Sequence, residues 1–151
     1  MSLSEQIDKD YIAAYKSKDQ VKLSVLRLLK TAAKNKLVEL CRTHETLTDS
    51  ELMDVIIKQA KQRQDSIEQY LQAQRSDLAK REKEELAVLE TYLPKKMSEE
   101  ELQAAIDEAI TATGAHSPRE MGMVMKYMME KYKGSVDGKL LSDEVKKRLS
   151  T

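Results

Sequence analysis

The stretch DSELMDVIIKQAKQRQDSIEQYLQAQRSDLAKREKEELAVLETYL, residues 49–93, decides the fold of this chain. In both of its halves, residues suited to a helix interface recur every three or four positions. The first series is Met53, Ile57, Ala60, Gln64, Ile67 and Leu71, and the second is Ala79, Glu82, Leu86, Leu89 and Leu93. Because only the short link AQR, residues 73–75, separates the halves, the sequence predicts an antiparallel helical hairpin.

Strong helix breakers are confined to the last part of the chain. All 4 glycines and both of the 2 prolines lie beyond Leu93, which predicts long helices before Pro94 and shorter ones after it. The composition, 40% hydrophobic and 34% charged with no Phe or Trp, favours helices over a sandwich or barrel. We therefore expect an all-α protein, with a longer N-terminal helical bundle in residues 1–94 and a small three-helix subdomain in residues 95–151.

Capping boxes indicate where the helices begin, because a Ser or Thr and a Glu or Gln three residues later satisfy each other's backbone N–H groups. The candidate boxes are Ser2/Glu5, Ser17/Gln20, Thr48/Glu51, Ser98/Glu101 and Ser117/Glu120, with further starts at Ser76 and Asp137. They predict about seven helices, near residues 4–17, 19–42, 49–73, 76–93, 98–113, 118–133 and 138–150. The second has a broad apolar face and should lie centrally among the long helices.

The segment MGMVMKYMMEKYKG, residues 121–134, holds five of the chain's 8 methionines. At roughly 100° per residue, most of them fall on one helix face with Val124 and Tyr132, which is typical of a core. Gly122, at the edge of that face, would let another helix approach closely. A docking surface and a soft-metal site are the alternatives, although no Cys or His accompanies the thioethers. Met123 projects on the opposite, polar side and should be exposed.

Reactive side chains show no catalytic or metal-binding pattern. The 2 histidines, His44 and His116, lie in expected loops of different halves, and the single Cys41 lies near an apolar helix end. No His, Cys or carboxylate cluster has the spacing of a metal site, and no Gly-rich phosphate loop follows a strand. We therefore expect no catalytic residue, no metal and no cofactor.

Signals for localisation are equally sparse. The N-terminus, MSLSEQIDKD, has no apolar leader region, and no stretch approaches the roughly 18 apolar residues of a membrane span. A single cysteine suits a reducing compartment. The sequence thus predicts a soluble cytoplasmic protein without a membrane partner.

Charge is balanced overall, with 26 basic and 26 acidic residues, but it is unevenly distributed. Residues 16–42 carry eight basic and two acidic side chains, and residues 126–148 carry seven and four. Within the first segment Arg27, Lys30 and Lys34 step along one helix edge, a row suited to spaced phosphates. With 6 tyrosines as the only aromatics, backbone contact with folded RNA is favoured over stacking on single strands. The alternative is an ordinary solvated face.

A set of short motifs, taken in order, covers nearly the whole chain. They are K-D at 18–19, LRLLK at 26–30, KQAKQRQDSIEQY at 58–70, A-x-R-x-DLA at 73–79, YLP at 92–94, S-x-E-E-L at 98–102, MGxVM at 121–125 and G-x-x-DG at 134–138. Together they resemble the YqeY family, whose members are similar to the C-terminal tail of the GatB subunit of the glutamine-dependent aspartyl/glutamyl-tRNA amidotransferase. The resemblance implies an all-helical protein in two parts. It also implies tRNA as a partner, because that tail helps to hold the elbow side of the tRNA.

The family label of carbon–nitrogen ligase activity, with glutamine as amido-N-donor, reaches this chain through the same resemblance. The glutaminase and the ATP-using sites of that enzyme lie in its other parts. The sequence departs from the commoner motif MGKVM by placing Met123 where a lysine is usual, and Lys126, one turn on, is a candidate substitute.

These observations lead to one hypothesis and two rivals. The hypothesis is an accessory module that binds tRNA, or a tRNA-charging complex, through backbone contacts and without its own active site. The expected contacts are Arg27, Lys30, Lys34, Lys126 and Lys139. One rival is a protein-interaction module that docks a partner subunit through the Met-rich C-terminal helix. The other is a glutamine-dependent amidotransferase.

Overall fold

The computed structural model describes residues 1–150, and this part of the chain contains seven α-helices and no strand. The helices are α1 (Leu3–Ser17), α2 (Gln20–Glu39), α3 (Asp49–Gln72), α4 (Ser76–Glu90), α5 (Glu99–Thr113), α6 (Met121–Lys131) and α7 (Gly138–Leu149). A short 3₁₀ turn, Pro118–Glu120, precedes α6. The prediction of an all-α protein with about seven helices is confirmed.

The chain forms two compact units, Met1–Leu93 and a second that begins at Pro94. The first contains α1 to α4 around one apolar core, and the second contains α5 to α7 around another. This boundary lies next to the one expected from the glycines and prolines. That residues 1–94 and 95–151 are two subdomains stays a prediction.

In the first unit α2 packs against α1, α3 and α4, and it shares this central position with α3, which also contacts the other three helices. The α2 residues Val25, Leu26 and Leu29 are completely buried. The helix therefore buries one face against its neighbours and leaves other residues exposed, among them Arg27, Leu28 and Val38. That arrangement fixes where its basic side chains point.

The hairpin of α3 and α4 forms the most extensive helix pair, but the residues buried on α3 differ from those expected. Met53 and Ile57 are only half-buried and Leu71 is exposed, whereas Leu52, Val55, Ile56, Ala60 and Ile67 are buried. The expected series assumed one partner for α3. In the structure α1, α2 and α4 all contact it, which rotates and widens its buried face.

An ion network lies within this hairpin. Arg63 Nη1 donates to Glu82 Oε2 at 3.1 Å and also to Glu85. The side chains of Arg63 and Glu85 are only 11% and 10% exposed, and Arg81 contacts Glu85 from the solvent side at 3.5 Å. Glu82, the polar member of the expected α4 series, is therefore held by a charge partner in α3.

Capping explains most of the helix starts, with three differences from the expected residues. Ser2 and Thr48 form complete boxes, and Ser98 and Asp137 cap their helices. Asp19 rather than Ser17 caps α2, because Lys18 takes a left-handed conformation (φ 59°) and the Ser17 hydroxyl donates to Ala14 O instead. Arg75 occupies the cap position of α4. Ser117 makes no capping hydrogen bond, and Glu120 accepts from the His116 N–H at 3.1 Å.

In the second unit the methionine-rich helix is mainly a core element. Val124 and Met128 are completely buried, while Met121, Met125 and Tyr132 pack against them. Met123 is 51% exposed, as its position on the helix predicts. The expected role of Gly122 is wrong, because a Cβ there would meet no atom of residues 1–150 within 4 Å, and so no described helix approaches it closely.

Candidate nucleic-acid interface

The three basic residues predicted on α2 are all exposed. Arg27, Lys30 and Lys34 are spaced three and four residues apart and so follow one edge of the helix, and all three are exposed. Because α2 is anchored on three sides, this edge is held in a fixed orientation within the first unit. The structure thus provides a row of cations on a rigid support, which we call the α2 row (Arg27, Lys30 and Lys34).

Helix α1 supplies two neighbours of the α2 row that the sequence reasoning missed. Asp8 Oδ1 lies 3.1 Å from Lys30 Nζ, and this ammonium lies 4.6 Å from the centre of the Tyr11 ring. Arg27 Nε donates to Tyr11 Oη at 3.4 Å. Asp8 and Tyr11 are three residues apart on α1, but helical spacing alone does not show which neighbouring helix they face. Lys30 is therefore partly neutralised, although its side chain remains 44% exposed.

The charge of residues 16–42 is reduced further at the end of α2. Lys36 Nζ lies 3.7 Å from Glu39, and Arg42 contacts Glu51 at 2.5 Å and also Glu45. Lys34, in contrast, forms no ion pair with any residue in the described range 1–150. Lys34 is thus the member of the α2 row whose charge is most available to an anion.

Beside the row, a groove of about 290 Å³ lies between α1, α2 and the segment 40–48. Its floor is apolar and is formed by Ile7, Leu29, Ala33, Leu37, Leu47 and Leu52. Its rim carries the charged residues Asp8, Lys30, Lys34 and Glu45 and the hydroxyl residues Ser4, Thr31 and Thr46. We call it the α1–α2 groove. Two members of the α2 row therefore also line a concave surface.

The wall formed by segment 40–48 is fixed by Arg42. Its guanidinium donates to Glu51, and the same carboxylate completes the capping box of α3 with Thr48. The hydrogen bond from Arg42, followed by the one from the Thr48 N–H, lowers the pKa of Glu51 from 4.5 to about 2. Cys41, expected at the helix end, lies beyond it and is exposed.

This shifted carboxyl predicts a specific acid sensitivity. Because the pKa of Glu51 is lower in the folded than in the unfolded chain, its stabilising contribution is complete above about pH 4.5 and is lost as the pH falls towards 2. An Arg42→Gln variant should lose the largest cause of this shift. Its free energy of unfolding, measured in urea across that pH range, should fall less steeply than that of the wild type. A Lys61→Gln variant should follow the wild type, and parallel curves for Arg42→Gln and wild type would contradict the assignment.

The other two expected contacts lie in the second unit. Lys126 on α6 and Lys139 at the start of α7 are exposed, and neither forms an ion pair within residues 1–150. The five predicted residues therefore form two groups on two separate units. Lys131, one of the neighbouring lysines on α6, is less available because it contacts Glu108 and lies 5.7 and 5.5 Å from the rings of Tyr127 and Tyr132.

Glu108 organises that cluster. It accepts from Lys131, from Tyr127 Oη at 2.8 Å and from Tyr132 Oη at 2.9 Å, and these hydrogen bonds lower the pKa of its carboxyl from 4.5 to about 2. The same interaction raises the pKa of Lys131. The charge of Lys131 is therefore neutralised within the unit. Lys126 and Lys139, which form no ion pair within residues 1–150, stay the predicted contacts in this unit.

Fold and surface together describe an all-helical protein with a local cationic row. The family model of Yqey-like proteins matches residues 4–149, and the chain belongs to this family. The resemblance seen in the sequence motifs is confirmed.

Similar curated proteins include three fungal proteins, each called "Altered inheritance of mitochondria protein 41, mitochondrial". The one from Lachancea thermotolerans is 32% identical over 114 residues, which cover 74% of this chain and 60% of that protein. The one from Kluyveromyces lactis is 29% identical over 143 residues, covering 93% and 72%. The one from Pyrenophora tritici-repentis is 28% identical over 145 residues, covering 93% and 77%. The match to the first of these relatives thus spans about three fifths of its length.

These relatives correct one expectation. The prediction of a cytoplasmic protein is wrong by this comparison, because each relative is named as mitochondrial. The prediction rested on the absence of an apolar leader and on a single cysteine, and neither feature distinguishes these compartments. Within residues 1–150 no helix is long and apolar enough to cross a membrane.

Proposed function

We propose that this protein is an accessory module that binds the backbone of tRNA, alone or within a tRNA-charging complex, and supplies no reacting groups of its own. The observation that carries the proposal is the α2 row, three exposed cations on a helix held by three neighbours. Successive side chains on such an edge lie one turn apart and can meet successive phosphates. Lys126 and Lys139 add a second contact group. The likeness of the family to the amidotransferase tail supports tRNA as the RNA in question.

The local pairing of the row suits reversible binding. Asp8 already shields Lys30 in the free protein, so a phosphate there must compete with a carboxylate. Lys34 has no such competitor within the described residues and should make the first contact. Binding of this kind depends on displaced counterions and therefore weakens as salt rises.

The test is a titration of bulk tRNA against the full chain over a series of salt concentrations. The logarithm of the affinity should fall linearly with the logarithm of salt, with a slope of about −0.7 to −0.9 for each phosphate neutralised. Failure to detect binding at about 50 mM salt would reject the proposal, because backbone contacts are strongest in that range.

A second function, docking of a protein partner through the Met-rich helix, is favoured by one observation. Met123 and Met129 on α6 are 51% and 37% exposed, and Leu140 on α7 is 53% exposed, although most other large apolar side chains of this unit are at least partly buried. Exposed apolar residues mark an interface where they form a contiguous patch, which is what this second function requires of α6.

Two substitutions at Met123 distinguish these functions. If α6 docks a protein, both Met123→Lys and Met123→Glu should reduce recovery of the partner in a pull-down, because either charge would be desolvated. If α6 contacts RNA, Met123→Lys should keep or increase tRNA affinity while Met123→Glu lowers it. Equal tRNA affinity for the two variants, together with loss of a partner from both, would favour docking over RNA contact.

A further inference from the structure

The α1–α2 groove differs from a plain solvated surface in the balance of its rim charges. Lys30 is paired with Asp8, and Glu45 is paired with Arg42. Among the charged residues of the rim, only Lys34 has no ion pair within residues 1–150. The groove therefore presents one available cation next to an apolar floor.

This combination selects the chemistry of an occupant. An anion alone would leave the floor formed by residues such as Ala33 and Leu37 exposed, and an apolar body alone would leave Lys34 unused. The volume of about 290 Å³ is close to the roughly 300 Å³ at which small-ligand sites begin. The occupant should therefore be compact, flat or narrow, and joined to a negative charge.

An unpaired nucleotide has these properties. Its phosphate carries the negative charge, and its base is a flat body whose polar groups lie along its edge. The rim of the groove carries the hydroxyl groups of Ser4, Thr31 and Thr46, which can hydrogen-bond to that edge. Proteins reach single bases of folded RNA in loops and bulges, because paired bases remain stacked inside the duplex. The position of the groove matters as well, since Lys30 and Lys34 belong to both the groove and the α2 row.

We infer that the α1–α2 groove receives one unpaired nucleotide of the bound RNA, with its phosphate on Lys34 and its base on the apolar floor. This inference rests on the proposed function and adds a preference to it. The α2 row by itself would bind any folded RNA backbone, whereas the groove would favour RNA that offers an unpaired base. The protein would thus distinguish a looped or bulged region from a regular duplex.

The test compares two probes, an RNA hairpin with 2-aminopurine in its loop and a blunt RNA duplex of the same total length. Thr31→Trp places a bulky ring in the groove from its exposed rim. Val38→Trp is the matched control, because both residues are exposed and β-branched, and they lie three residues before and four residues after Lys34 on the same helix. Of these two residues, Thr31 lines the groove and Val38 does not.

The wild type and Val38→Trp should bind the hairpin more tightly than the duplex and should change the 2-aminopurine fluorescence. Thr31→Trp should bind the hairpin roughly 5- to 10-fold more weakly, because the base loses apolar burial on the groove floor, and should bind the duplex as before. Circular dichroism establishes whether each variant is folded. If Thr31→Trp does not fold, Thr46→Trp replaces it, because it fills the same groove from segment 40–48.

Equal hairpin binding by Thr31→Trp and Val38→Trp would overturn the inference, and so would an equal loss on both probes. Equal hairpin binding would leave the proposed backbone binding intact and would point to a different occupant of the groove, such as an acidic peptide. An equal loss on both probes would instead show that the substitution disturbs the backbone contact that the two probes share. If the wild type bound neither probe at about 50 mM salt, the proposed function itself would fail.

Discussion

Replacing Arg27, Lys30 and Lys34 together with glutamine should lower the affinity for bulk tRNA by roughly a hundredfold or more at about 50 mM salt. Each lost phosphate contact removes about 0.7 to 0.9 from the magnitude of the log–log salt slope, so the slope should shrink by about 2 to 3. The difference between variant and wild type should narrow as salt rises. Filter binding across a salt series measures both quantities.

Two controls separate this effect from a general change in charge. The triple variant Lys61→Gln, Lys80→Gln and Lys83→Gln removes the same charge from exposed positions on α3 and α4 and should keep most of the wild-type affinity. Asp8→Asn should have the opposite sign and increase the affinity, because it removes the carboxylate 3.1 Å from Lys30. A control triple as weak as the α2-row triple would show that the row is not the contact surface.

The second large effect concerns stability. Arg63→Met should lower the free energy of unfolding by about 3–5 kcal/mol, because it leaves the carboxylate of Glu85 buried without its inner charge partner. Glu85 is 10% exposed, and Arg81 reaches it only from the solvent side at 3.5 Å. Urea unfolding at neutral pH, followed by circular dichroism, measures the change.

The double variant Arg63→Met, Glu85→Met is the informative comparison. Replacing both partners by apolar residues removes the desolvated charges together, so the double variant should be clearly more stable than Arg63→Met alone. A double variant that loses the sum of the two single effects would contradict this account. Arg81→Gln should change stability by less than about 1 kcal/mol, since its side chain is largely exposed.

Local signals in the sequence were sufficient for the helices. Breaker-free segments, capping residues such as Thr48 and Asp137, and apolar spacing each depend on neighbours within a few positions. These local signals gave the wrong residue at several places. At the start of α2, the left-handed Lys18 moved the cap from Ser17 to Asp19. On α3, an assumed single partner gave the wrong register for Met53 and Leu71.

The candidate site was predictable only in part. The spacing of Arg27, Lys30 and Lys34 indicated a shared edge, and their exposure agrees with it. The pairing of Lys30 with Asp8, and of Arg42 with Glu51, depends on contacts between helices that periodicity does not specify. The net charge counted over residues 16–42 therefore exceeds the positive charge that is available to a ligand, because some of these cations are paired with carboxylates from other segments.

The sequence by itself determined that this chain is helical, approximately where its helices begin, and which edge of α2 carries cations, because these properties arise within one or two turns. Only the tertiary structure decided which of those cations remain unpaired and that a groove lies beside them. Ion pairs and concave surfaces form between segments distant in the chain, and their geometry exists only after the helices have packed.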